Sequence, residues 1–182
     1  MFRKITLAAA LIVFSFNLLQ AQESKPQDAG TILNAAYKES DSSGKNVFLI
    51  FHASWCGWCK RLEKAMQSDD LRRIFEDNFV ITFLDVSERG DKIAALENPG
   101  GNEFMAKLGG EKSGLPFYAF LDSSGKKICD SNAMPKNSNI GYPGSDEEIE
   151  AFANLLKLSA PNINGQDLST IVDYLKKNAP KR

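Results

Sequence analysis

The stretch that most restricts how this chain can fold is the apolar run Val47-Phe48-Leu49-Ile50-Phe51, which leads directly into Cys56-Gly57-Trp58-Cys59. Apolar side chains on both alternating faces require a strand covered on both sides. The residues that follow, Lys60-Arg61-Leu62-Glu63-Lys64-Ala65-Met66, have a composition that favours helix. Two cysteines at a turn from buried strand to helix put the first sulfur at a helix N-terminus, where unpaired N–H groups and the helix dipole favour a thiolate. The second, one turn on, stands close enough to attack a mixed disulfide formed by the first. Cys56 is the candidate nucleophile and Cys59 the candidate resolving thiol.

The elements around this unit follow from periodicity and turn chemistry. Asp28 is placed to cap a helix over residues 31–39, and Ser40-Asp41-Ser42-Ser43-Gly44 reads as a turn into a strand over 46–53. Leu71, Ile74 and Phe75 continue an apolar helical stripe that stops near Asn78, and residues 79–86 read as a second central strand. Residues 87–101 are polar, with a short helix expected over 92–96 and a loop at Asn98-Pro99-Gly100-Gly101, before a helix over 103–108. Gly114-Leu115-Pro116 opens a strand over 117–121, and Asp122-Ser123-Ser124-Gly125 turns it into a partner over 126–129. After a loop over 130–144, Ser145 and Glu148 form a capping box for a helix carrying Ile149, Phe152, Leu155 and Leu156. A last amphipathic helix carries Leu168, Ile171, Val172 and Leu175. The order predicts an α/β architecture, a central mixed sheet flanked by helices with an extra C-terminal helix.

Residues 1–21 read as a signal peptide: Arg3 and Lys4, a mostly apolar stretch from Ile5 to Leu19, and Ala21 at the cleavage point. The apolar stretch falls short of the ~20 residues that span a bilayer, so an uncleaved anchor is the second reading. The protein is therefore expected in the periplasm or outside the cell, with a flexible segment at 22–27. Losing Arg3 and Lys4 takes the 22 basic residues to 20 against 23 acidic ones, a net charge of −3. No basic stripe points to nucleic acid or anionic lipid. Three cysteines do not make a disulfide scaffold.

The run Phe51-His52-Ala53-Ser54-Trp55-Cys56-Gly57-Trp58-Cys59-Lys60, with Gly114-Leu115-Pro116 opening a later strand, resembles the thioredoxin superfamily, and within it the soluble reducing domains of exported disulfide interchange proteins. The likeness covers residues 28–158 and leaves 159–182 as a C-terminal helical extension. It implies that Cys56 is the exposed nucleophile, Cys59 the buried resolving thiol, and Pro116 a cis-proline beside them. It further implies a substrate groove with Trp55 on its rim and the backbone of Leu115, next to Gly114, free to pair with a client peptide. Gly57, Trp58 and Lys60 complete the motif. Thioredoxins proper carry a buried Asp where this chain has Ile50, and many members carry Pro or His where it has Trp58. Without a histidine cation between the cysteines the thiolate loses one source of stabilisation, which points to a reductant or a moderate exchanger rather than a strong oxidant.

Other chemistries fit less well. Zinc wants four N or S ligands, and the chain offers Cys56, Cys59, Cys129 and a single histidine, His52. Haem attachment requires His after the second cysteine, where Lys60 stands. His52 reads either as a proton relay for Cys59 or as a half-buried histidine under the helix. Cys129 reads as a small buried hydrophobe, with a regulatory or intermolecular thiol as the second reading. Trp58 is either a substrate-facing aromatic or a shield over Cys59. The expected activity is thiol-disulfide exchange on exported proteins by a monomer. No cofactor is needed beyond the Cys56–Cys59 couple, and a membrane reductase is expected to reset it. The alternative is a client-binding or chaperone module with incidental redox turnover.

Overall fold

The structure, a computed structural model, describes residues 25–180. The signal-peptide reading of residues 1–21 lies outside them. Among the described residues no helix is long and apolar enough to cross a membrane.

Four strands form one mixed sheet in the order β2-β1-β3-β4. β1 (Asn46–His52) pairs in parallel with β2 (Phe79–Asp85) and antiparallel with β3 (Phe117–Leu121), which in turn pairs antiparallel with β4 (Lys127–Asp130). The two-sided apolar pattern of β1 is used as the period demands. Phe48 and Ile50 enter one core with Leu62, Phe75, Tyr118, Phe120 and Phe152, while Val47, Leu49 and Phe51 enter the other with Leu33, Leu84, Met105 and Phe117. The first core is covered by α2 (Gly57–Met66), α3 (Arg72–Asn78), α6 (Asp146–Ser159) and α7 (Gly165–Lys177), the second by α1 (Ala29–Ser43) and α5 (Gly101–Lys107). Phe48 centres the first, stacked on Phe120 at 4.4 Å and edge-on to Tyr118 and Phe79 at 5.5 and 5.6 Å. Each such pair is worth about 0.5–1.5 kcal/mol beyond its buried area. Ile171 and Leu175 of α7 belong to this same core, so the last helix is part of the packed body.

Several element boundaries differ from the sequence reading by one or two residues or more, and three of the differences have a visible cause. α1 runs on through the expected turn at residues 40–43, where the Ser42 hydroxyl donates back to the carbonyl of Glu39, and it ends only at Gly44, whose φ of 69° is the left-handed stop. α5 starts at Gly101 rather than Glu103. A Cβ there would lie 2.9 Å from Val86, so a glycine is what lets this turn approach β2. β4 starts one residue late because Asp122 Oδ1 accepts from the N–H groups of Ser124 and Lys126 and holds Lys126 in the turn. α4 (Lys92–Leu96) forms where a short helix was expected and buries none of its residues.

Candidate active site

The turn between β1 and α2 is built so that Cys56 itself caps the helix. Its backbone is extended at φ −80° and ψ 104°, its N–H donates to the Ala53 carbonyl at 3.0 Å, and its Sγ accepts the N–H of Cys59 at 3.1 Å. A sulfur in this place takes an N–H that the helix cannot satisfy, which is the local condition for stabilising negative charge on it. Cys56 and Cys59 are joined by a disulfide with a Cα separation of 5.3 Å. Both are 4% exposed and pack with Ala53 and Leu115, so in the disulfide form Cys56 is as buried as Cys59, not exposed as the family likeness implies. The Leu115–Pro116 peptide bond is cis. A strand end, a helix start and a proline turn from distant parts of the chain thus converge on one sulfur pair.

Two tryptophans flank the pair. Trp55, 43% exposed, donates from Nε1 to the Ser87 carbonyl at 2.9 Å, with the Arg89 guanidinium 4.0 Å from its ring centre. Trp58, 51% exposed, stacks on Tyr142 at 6.0 Å, and the Arg61 guanidinium lies 5.0 Å from the Tyr142 ring. Trp58 therefore forms an outer aromatic wall anchored to a loop that follows β4. Gly57 is the first helical residue, and a Cβ there would meet nothing within 4 Å. Lys60 is exposed and its N–H donates to the Cys56 carbonyl at 3.3 Å. Gly114 is exposed and presents its carbonyl to Asn139.

Ile50 is buried in the apolar core, and the charges lie further along the strands. His52 pairs in register with Asp85 across the parallel strands, Nε2 to Oδ1 at 3.3 Å, and its ring packs against Phe83 at 5.1 Å. Burial raises the Asp85 carboxyl above its ordinary value and the charges of Glu88 and Glu63 push the same way, while His52 opposes them. The sequence reading missed Asp85 as a partner, and it missed Glu88 altogether. Among the described residues Glu88 is the one buried acidic or basic side chain. Its carboxylate accepts both the N–H and the hydroxyl of Ser54, and Lys92 Nζ reaches the same hydroxyl at 3.0 Å. The loop after β2 is thereby clamped to the turn that presents Cys56.

Cys129 stands apart from this cluster. It lies on β4, its Sγ is 3.8 Å from the Leu155 carbonyl, and burial pushes its thiol up to about 11. Among the described residues no group of three or more His, Cys, Asp or Glu is placed to hold a metal ion.

Residues 28–123 match the family described as thioredoxin-like. Among curated proteins, the chain is 29% identical over 111 residues to a protein disulfide-isomerase of Hordeum vulgare, covering 61% of this chain and 19% of that protein. It is 35% identical over 95 residues to the thiol:disulfide interchange protein DsbD of Photorhabdus laumondii subsp. laumondii, covering 50% of this chain and 14% of that protein. The chain thus matches less than a fifth of the length of either relative. Among solved structures it is similar to a disulphide isomerase from Xylella fastidiosa Temecula1, with a TM-score of 0.49, 21% identity and coverage of 82% of this chain and 90% of that one. It is also similar to a DsbH oxidoreductase, with a TM-score of 0.48, 20% identity and coverage of 73% and 84%. The family match takes in more than half of the chain, including β1, the cysteine turn, α2, β2 and the cis-proline strand, and on that ground the chain belongs to the thioredoxin-like family.

Proposed function

We propose that the protein exchanges thiols and disulfides on exported proteins through Cys56 and Cys59, working as a reductant. The observation that carries this reading is the seat of Cys56 Sγ at the mouth of α2, accepting an N–H, with Leu115 packed beside it. With the pair reduced, the Cys56 thiolate attacks one sulfur of a client disulfide. A Cys56–client bond forms and the other client sulfur leaves as a thiolate, which takes a proton. Cys59 then gives up its proton and attacks Cys56 Sγ, expelling the second client thiolate. Two electrons have moved to the client and Cys56–Cys59 is again a disulfide. A dithiol donor, a membrane reductase on this reading, reverses these steps to reset the site. Trp58 between the cysteines supplies no cation to stabilise the thiolate further, which supports the reducing direction.

Exposure of Trp55 and Trp58 on either side of the pair supports a second reading, a module that holds clients and turns them over only incidentally. Insulin reduction with dithiothreitol as donor separates the two. The wild type is expected to accelerate it and Cys56→Ser to abolish the acceleration. An inert wild type, or a Cys56→Ser variant as fast as wild type, refutes the exchange reading, and client binding retained without turnover selects the other.

A further inference from the structure

The exchange site has a second wall, contributed by residues beyond the family match, and that wall holds both halves of the site at once. Asn139 Nδ2 donates to the carbonyls of Gly114 at 2.7 Å and Pro116 at 3.0 Å, and its Oδ1 accepts the N–H of Gly141 at 3.2 Å. One amide therefore occupies the two carbonyls that flank Leu115. Three residues on, Tyr142 stacks against Trp58 on the cysteine helix. The segment 139–142 is thus fixed to the cis-proline turn at one end and to the residue between the cysteines at the other.

Between these fixed points runs an open groove of about 1060 Å³, with Trp58, Gly114, Leu115 and Tyr142 among its lining. Its charges are mostly spoken for. Lys127 pairs with Asp130 at 2.5 Å and donates to the Leu108 carbonyl, and Glu148 accepts the N–H groups of Gly144 and Ser145 within its capping box. Asn132 is tied to Asp130, Gly109 and Ser113. Among the described residues Lys112 is the groove's one charged side chain without a hydrogen-bond or ion-pair partner, and Arg61, which lies over Tyr142 and donates to the Asn178 carbonyl, offsets the negative charge that Glu148 keeps on its neutral N–H partners.

We propose that residues 139–142 form a client-binding wall which, with Lys112 on the lining of the same groove, selects disulfides whose cysteine is flanked by acidic side chains. This rests on the exchange reading and specifies its substrate class. Two disulfide-linked peptides, identical except for Asp or Lys beside the cysteine, test it together with hydroxyethyl disulfide, which is too small to fill the groove. Wild type is expected to favour the Asp peptide in kcat/KM by about threefold to fivefold, as one partly exposed charge pair allows, and to lose the preference in high salt. Lys112→Glu is expected to invert the ratio. Asn139→Ala is expected to raise KM for both peptides about fivefold while keeping their ratio. Turnover of hydroxyethyl disulfide by a wild type indifferent to the peptides' charge, or an unchanged ratio in Lys112→Glu, overturns the selection. An unchanged KM in Asn139→Ala overturns the wall. Failure to reduce any of the three disulfides overturns the exchange reading and this proposal with it.

Discussion

Alkylating the oxidised protein with iodoacetamide isolates Cys129, because the other two cysteines are joined to each other. Burial pushes this thiol up to about 11, the neighbouring Asp130 charge acts in the same direction, and Ser159 and Lys127 oppose them. Only the thiolate reacts, so the rate follows the ionised fraction. At pH 8 a thiol titrating at 9 is roughly 9% ionised and one titrating at 11 roughly 0.1%, a deficit of about 100-fold. Between pH 7.5 and 9.5 the rate should climb about tenfold per unit without levelling. Mass spectrometry of the Cys129 peptide at timed quenches gives the rate. In the reduced protein, Cys56 at its helix mouth should be modified long before Cys129. A Cys129 rate that levels off by pH 9, or matches that of Cys56, would refute the account of this residue as a packing thiol.

Gly110→Ala is expected to destabilise the fold, since a Cβ there would lie 2.5 and 2.6 Å from the Phe117 ring and 2.8 Å from Met105. Overpacking of this kind costs about 1–3 kcal/mol and lowers Tm by about 2–12 °C at this chain length, so an unchanged calorimetric melt would contradict it. Asp85 should titrate above an ordinary aspartate in carboxyl NMR, and because His52 opposes that rise, His52→Ala should move the midpoint higher still. The sign for stability follows: an acid whose folded value exceeds its unfolded one penalises the fold once pH rises through the unfolded value, and the penalty vanishes below it. A midpoint that falls in His52→Ala would show that the pair works differently.

The strand, the cysteine turn and the helix were legible because their signals are local: an unbroken apolar run, two sulfurs at helical spacing, and alternation that reports burial on both faces. The Ser145 capping box was legible for the same reason, and the structure contains it in full. The end of α1 was misread because serines and Asp41 favour turns in isolation, whereas here the helix continues and is stopped by the glycine. The site's supporting residues carry no such local mark. Asn139 lies 25 residues from the Gly114 carbonyl it holds, in a loop without periodicity. Glu88 sits in a stretch whose polarity reads as solvated surface, yet it is buried against Ser54, 34 residues earlier. The pairing of His52 with Asp85 needs the register of two strands, which neither strand states alone.

Asn98 completes the end of β2 as a neighbouring strand would: its backbone N–H donates to the Asp85 carbonyl, its Oδ1 accepts the Asp85 N–H, and its Nδ2 donates to the Gln27 carbonyl at 2.8 Å. Asp85 stands level with His52, four residues before the first sulfur, so the chain enters the described fold at the redox end. Pro180, near the other extremity, borders the groove beside Trp58, and Arg61 grips the Asn178 carbonyl at 2.6 Å. Gln27 and residues 178–180 therefore lie on the side of the fold that clients must approach, whereas the turn at 122–125 follows the Leu121 end of β3, paired with Val47 at the far end of the sheet, so a reporter inserted there would leave that face clear.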